Sequence, residues 1–208
     1  MTKKYPRTFH LPISPGASSD DKIMTSLEGL ICDDLVITEK MDGENTTLHR
    51  GGCHARSPDS RNHPSRDWLK AFAAGITPQL AGGERIVGEN LYARHSVGYD
   101  ALPAWFLGFA WILGDEVQPW DLTLLRFEEL GITPVPVLWR GPWRPGLFET
   151  IAAGLDPDRQ EGFVARVAAA FPEAEMPRRM GKYVRAGHVQ SETHWMHAAL
   201  VPNGLKGA

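Results

Sequence analysis

Four short pieces carry residues able to do chemistry, in a fixed order: Glu39-Lys40-Met41-Asp42-Gly43-Glu44-Asn45, then Gly88-Glu89-Asn90, then Glu161-Gly162-Phe163-Val164-Ala165-Arg166, then Gly181-Lys182-Tyr183-Val184-Arg185. Lys40 ends an apolar run and precedes Asp-Gly, so a pocket can hold it. Burial and a nearby cation favour the neutral amine, which is the nucleophilic form. Gly43 permits a tight turn and close approach of backbone to a ligand. A second cation, Lys182, lowers the proton affinity of the attacking amine and can hold a phosphate oxygen. Glu89 and Glu161 can bind Mg²⁺ (or Mn²⁺), directly or through water, or accept hydrogen bonds from a ribose. Together these groups suit attack of a lysine on a nucleotide α-phosphate.

Each piece alone is weak. Lys-x-Asp-Gly is a common turn, and Gly-Glu on a strand is commoner still. The ordered set is what raises the signal.

The elements that must position these residues follow from local patterns. Residues 1–22 read as an irregular lead-in broken by Pro12, Pro15 and Gly16. Leu35–Thr38 is β-prone and runs into Glu39-Lys40; after a turn at Met41–Glu44, Asn45–His49 resumes an extended pattern, and Cys53–Arg56 follows the Gly51-Gly52 turn. Ser65 is placed to cap a helix over Arg66–Ala74 that Gly75 ends, and Asp121 to cap one over Leu122–Leu130 that Gly131 ends. Arg85–Tyr92 reads as a strand, and Trp105–Leu113 as a buried strand whose length leaves a helix open. Val135–Leu138 reads as an edge strand because of Pro136. Phe148–Ala153 is a short helix, and Glu161–Val167 and Lys182–Arg185 are strands. The expected class is α+β, with helices outside the sheets.

Composition bounds the rest. The chain has 208 residues, 22 Lys+Arg against 25 Asp+Glu, and a formal net charge of −3. That balance argues against a purely electrostatic nucleic-acid coat but leaves room for a local basic groove. There is no run of about 18 apolar residues, so no membrane span is expected. Met1–Pro6 leads into no apolar h-region. Cys32 and Cys53 are the only cysteines, which excludes a disulfide scaffold or CxxC zinc site and fits a reducing cytoplasm.

Over roughly residues 30–205 the sequence resembles the covalent nucleotidyltransferase superfamily of polynucleotide ligases and RNA capping enzymes. Within it, the likeness is to ATP-dependent RNA ligases of the RNA ligase 2 type, especially short bacterial and phage-like members. Lys40-Met41-Asp42-Gly43 matches motif I, which implies that Lys40 becomes lysyl-AMP, with Glu39, Asp42 and Asn45 around the nucleotide. His54-Ala55-Arg56-Ser57 resembles motif Ia, which implies contact of Arg56 with the nucleotide or RNA end. Gly88–Tyr92 resembles motif III, which implies a ribose contact by Glu89. Trp105–Ile112 stands where motif IIIa places a base-stacking aromatic, either Phe109 or Phe106. Glu161–Val164 resembles motif IV, which implies a metal-binding Glu161. Gly181–Arg185 resembles motif V, which implies that Lys182 holds the α-phosphate.

The sequence departs from the pattern in two places. Motif V commonly carries two lysines one residue apart; here Met180 and Val184 flank Lys182 at that spacing, leaving Arg185 as the second cation. Ala110 follows Phe109 where an acidic residue is common. The chain ends soon after motif V, so the expectation is one nucleotidyltransferase (adenylation) domain over 1–208, two antiparallel sheets flanking a nucleotide cleft, with no sizeable C-terminal accessory domain. The tail, His188-Val189-Gln190 then His194-Trp195-Met196, resembles the ends of short family members, which implies a natural terminus.

The resemblance implies ATP and Mg²⁺ as cofactors, RNA ends as partners, and three steps: Lys40 attacks ATP, AMP passes to an RNA 5′-phosphate, and a 3′-hydroxyl displaces AMP. Other readings stay open: a GTP-using or DNA-joining enzyme, a non-catalytic nucleotide or RNA-end binding module, or a component that supplies adenylation to a repair-complex partner. His188, His194 and His197 read as solvated or core-capping groups, since no third ligand lies near them in sequence. Arg178 and Arg179 beside motif V, and Arg61 and Arg66 around Pro64, suit either phosphate contact or a solvated face.

Overall fold

A computed structural model of the chain describes residues 3–58, 63–188 and 200–207. Twelve strands and four helices are seen among these residues. Five strands form one sheet in the order β1 (Phe9–His10), β12 (Met180–Val184), β10 (Gly162–Val167), β2 (Leu35–Lys40), β9 (Val137–Gly141). The second sheet runs β11 (Phe171–Pro172), β7 (Glu116–Val117), β6 (Phe106–Leu113), β5 (Glu84–Asn90), β3 (Glu44–His49), β4 (Gly52–Ala55), with β8 (Thr133–Pro134) also against β6. The α+β class and the two sheets are as expected. The pairings are antiparallel except β1–β12 and β6–β8, which are parallel and only two residues long.

Alternation decides which side chains reach the space between the sheets. On β2 and β10, Leu35, Ile37, Phe163 and Ala165 pack outward under helix α3 (Leu147–Ala153). Val36 joins Leu107 and Trp120 on the opposite side. The outer face of the second sheet, through Leu48, Ile86 and Phe106, is covered by Leu69, Ala73 and Ile76 of α1 (Asp67–Ile76) and by Phe127 and Leu130 of α2 (Trp120–Leu130). The central strands are thus buried on both faces, which is why Leu35–Ile37 and Phe106–Ala110 read as apolar runs.

Several local expectations are corrected. The lead-in is not wholly irregular: Phe9–His10 adds a strand beside Gly181–Lys182. Ser65 does not cap α1; it lies in a short 3-10 turn, Pro64–Arg66, where the His63 ring accepts its N–H, and the helix starts at Asp67 and runs past Gly75. Asp121 lies inside α2, whose N-cap is Pro119, and its carboxylate pairs with Arg140 instead. The expected C-cap holds, since Gly131 has φ +66°, where a Cβ is unfavourable. Trp105–Leu113 resolves to strand β6, Phe106–Leu113. The edge strand begins at Val137, after Pro136.

Residues 200–207 pack on the segment 91–105 that links β5 to β6. Asn203 is buried and donates to the Leu91 carbonyl, while its own carbonyl accepts from the Trp105 indole. Arg61, Val189, Gln190, His194, Trp195, Met196 and His197 lie outside the described residues.

Candidate active site

Between the sheets lies a cleft of about 380 Å³. Strand β2 carries Lys40 at its end, in the first sheet; a turn at Met41–Gly43 then crosses to β3 in the second. The turn lies tight against β5. A Cβ on Gly43 would come within 2.5 Å of the Asn90 carbonyl and 3.0 Å of Glu89 Cγ. The close approach that Gly43 permits is therefore to the neighbouring strand rather than to a ligand. It brings the motif I and motif III pieces together, with Asn45 paired to Glu89.

The first sheet supplies Thr38 and Lys40 from β2 and, at alternate positions, Val164 and Arg166 from β10 and Met180 and Lys182 from β12. Glu39, Asn45, Arg56, Glu89 and Phe109 also line it. Phe109 faces the same side as Leu107, two residues before it, and sits at a bulge. Ala110 pairs with Val87 and Gly108 with Gly88, so Phe109 is the extra residue between them. Its alternative, Phe106, is fully buried on the other face against Phe72. The structure therefore brings Phe109 to the cleft and Phe106 to the core.

Lys40 faces Glu161, which immediately precedes its strand partner Gly162. Lys40 Nζ donates to Glu161 Oε2 at 2.6 Å, and Glu161 is buried. Burial alone lowers the lysine's pKa, but Glu161, with Glu89 and Asp42, outweighs it and the net shift is upward. This corrects the expectation of a neutral amine: in this state Lys40 is held as an ammonium. Lys182, by contrast, is depressed by burial and by the charge of Lys40. Burial pushes Glu89 up to about 8 against the pull of Lys40, so it is largely a neutral acid at pH 7. Burial also raises Glu39, whose carboxylate accepts from Gln160.

Asp42, Glu161 and Arg185 are not among the cleft-lining residues. Asp42 is buried just behind Lys40; its Oδ2 accepts from the Val97 N–H at 2.6 Å, and its own N–H donates to the Tyr99 hydroxyl. Burial raises Asp42, but its hydrogen bonds and the His188 and Lys40 charges bring it below its usual value. Arg185 stands at odd spacing from Lys182 and points elsewhere, donating to the carbonyls of Gln160 and Ala186. It does not supply a second cation to the cleft.

Two sets of residues escaped sequence reasoning. His188, discounted there, brings Nε2 to 3.5 Å from Glu161 Oε1 and 3.7 Å from Asp42 Oδ1. One ligand atom from each of Asp42, Glu161 and His188 lies within 4.8 Å of the others, the one such cluster among the described residues, and Glu89 is not part of it. The carboxylates missing near His188 in sequence come from the turn after β2 and from the residue just before β10. The second set is the lead-in, which forms a wall of the cleft with Tyr5, Arg7, Thr8, Asp21 and Lys22. Asp21 lies 3.6 Å from Lys182 and 3.4 Å from His10, which burial and Lys182 depress to about 4. Neither Pro-rich composition nor periodicity marks such a segment as part of a site. Arg66 pairs with Glu44 at the edge of β3, and Arg179 with Glu175 on the surface.

Comparison with known proteins follows this geometry. The sequence model of the RNA ligase family matches residues 33–184. An archaeal ATP-dependent RNA ligase superposes with TM-score 0.61 at 14% identity, covering 88% of this chain and 48% of that one. A putative ATP-dependent DNA ligase from Aquifex aeolicus gives 0.55 at 15%, covering 88% and 50%. A Naegleria gruberi RNA ligase mutant with ATP and Mn gives 0.54 at 14%, covering 78% and 52%. At such identities the likeness is one of fold, and the chain spans about half the length of these proteins. No curated protein sequence matches the chain. Among the described residues no helix is long and apolar enough to cross a membrane.

Proposed function

Because the chain belongs to the RNA ligase family, we propose that it is an ATP-dependent RNA ligase that forms lysyl-AMP on Lys40 and joins RNA 5′-phosphate and 3′-hydroxyl ends. The observation that carries this is Lys40, paired with the buried Glu161 behind it, in a cleft that also gathers Glu89, Phe109 and Lys182. One cleft thus offers a nucleophile, a group suited to a ribose hydroxyl, a ring for a base and a cation for a phosphate.

The roles follow from position. Phe109 and Val164 flank the base, and Glu89, as a neutral acid, hydrogen-bonds the ribose. Lys182 holds the α-phosphate, with Asn45 and Arg56 beside it. Asp42, Glu161 and His188 offer two carboxylates and an imidazole at distances that suit a divalent cation; carboxylates suit Mg²⁺ and the added nitrogen favours Mn²⁺. When bound there, the cation supplies charge that neutralises Glu161 and so lowers the proton affinity of Lys40.

Lys40 passes its proton to solvent before it reacts. Its amine attacks the α-phosphorus in line, forming the phosphoramidate and expelling pyrophosphate. The RNA 5′-phosphate attacks the same phosphorus, returning the lysine and giving a 5′–5′ anhydride. The 3′-hydroxyl attacks the activated end and releases AMP.

Residues 1–208 are, in this reading, an adenylation domain at work in a reducing cytoplasm, consistent with the free Cys32 and Cys53. RNA repair, alone or with a protein partner, is the proposed setting. The experiment is incubation with ATP, Mg²⁺ and 5′-phosphorylated RNA, nicked and single-stranded, and separately with pre-adenylated RNA. Adenylated or joined RNA is expected; failure with both kinds of substrate contradicts the reading.

A further inference from the structure

Arg166 is nearly fully buried, yet among the described residues it forms no ion pair with a carboxylate. Its Nε donates to the Val167 carbonyl at 3.0 Å and its Nη2 to the Gln118 carbonyl at 2.9 Å. Its guanidinium carbon lies 5.7 Å from the Trp120 ring centroid and 5.4 Å from that of Phe171. Nη1 is buried and makes no hydrogen bond. Burial lowers its pKa to about 10, so it remains a cation at neutral pH. The Tyr5 hydroxyl, with the Thr8 side chain beside it, is a second buried polar group here. Tyr5 sits edge-on to Phe109 with centroids 5.7 Å apart, and both Tyr5 and Arg166 line the cleft. Leaving a buried cationic donor unsatisfied is costly, so Arg166 Nη1 points to a ligand acceptor that completes it, and the Tyr5 oxygen offers an acceptor on the same cavity.

Their place fixes which part of the ligand. Gly162 is opposite Lys40, and Arg166 stands four residues further along β10, roughly 13 Å away at strand spacing. Val164, between them, faces the same side. The phosphate end is at Lys40 and Lys182. The Arg166 end is walled by Phe109, Trp120, Val135, Val164 and Met180, which suits a ring rather than an anion.

We propose that Arg166 and Tyr5 read the base edge, Arg166 Nη1 donating to a ring-nitrogen acceptor and the Tyr5 hydroxyl accepting from an exocyclic amine beside it. Adenine presents that pair. The two-pronged fork by which arginine grips guanine is not available, because Nε and Nη2 are already engaged. The inference rests on the reading of this cleft as a nucleotide site, and makes Arg166 and Tyr5 specificity-determining residues.

The test is nucleotide affinity by calorimetry with EDTA present, so that binding is read apart from adenylation. Wild type, Arg166→Met and Tyr5→Phe are compared for ATP, 1-deaza-ATP, 7-deaza-ATP, purine riboside triphosphate and GTP. Wild type is expected to bind one deaza analogue, the amine-less analogue and GTP roughly ten-fold or more weakly than ATP. Arg166→Met should lose the deaza discrimination alone, and Tyr5→Phe the amine discrimination alone. Variants that keep both discriminations, or a wild type that binds all five equally, overturn the inference while leaving the ligase reading standing. A wild type that binds no nucleotide overturns both. If Arg166→Met does not fold, Tyr5→Phe, which removes one hydroxyl, decides.

Discussion

The Lys40 ammonium, at the end of one central strand, and the Glu161 carboxylate, just before the strand paired with it, meet at 2.6 Å beside the cleft. The nucleophile is thus stored in its unreactive form by the residue best placed to hold a cation. A buried carboxylate this close stabilises the charged amine more than burial destabilises it.

Removing that charge should therefore move the lysine. In Glu161→Gln, burial and Lys182 act on Lys40 without the dominant opposing carboxylate, so its titration midpoint should fall below that of wild type. Labelling of Lys40 by an amine-specific reagent against pH, without divalent cation, reads this. A midpoint unchanged or raised would contradict the electrostatic account.

His188 lies against both Glu161 and Asp42. His188→Ala should raise the Mn²⁺ concentration for half-maximal adenylation by about 10-fold or more, as loss of a ligand or its supporting partner does. Unchanged cation dependence with lowered stability would mean that the ring only packs.

The two phenylalanines of β6 should separate function from stability. Phe109→Ala should weaken ATP binding, while Phe106→Ala should cost about 3–5 kcal/mol of stability through a core cavity. Urea titration and nucleotide binding on both variants check this, and an exchange of the two effects would overturn the placement of the two rings.

Acid should loosen the lead-in wall. His10 is fully buried with a pKa near 4, below its ordinary value of 6.5. The unfolded chain binds the proton first, so the stability from neutral His10 is fully present above pH 6.5 and is lost as pH falls through 4. The loss is about 3 kcal/mol. Urea midpoints between pH 7 and 4 should fall with this slope, and the slope should flatten in His10→Asn.

The catalytic strands were legible because their residues obey two codes at once. Leu35–Lys40 and Glu161–Val167 are apolar enough to be strands and end on or begin with charged groups that a buried strand does not otherwise tolerate. Phe109 was legible only as one of two candidates, since the two rings sit on opposite faces of a strand buried on both sides, and composition does not say which face meets the cleft. Arg185 misled because a second cation was expected near Lys182, whereas an odd spacing turns it away. His188, Tyr5 and Arg166 were not legible as site residues. Their partners are brought close by the sheets, and a buried orphan donor leaves no mark in sequence.

The central claim is that Lys40 is the nucleophile. Intact-protein mass spectrometry after incubation with ATP and Mg²⁺ tests it most directly. The account predicts an added AMP on wild type, reversed by pyrophosphate and absent from Lys40→Ala. An adduct that persists in Lys40→Ala, or a folded, ATP-binding wild type that gains none with either Mg²⁺ or Mn²⁺, would contradict it.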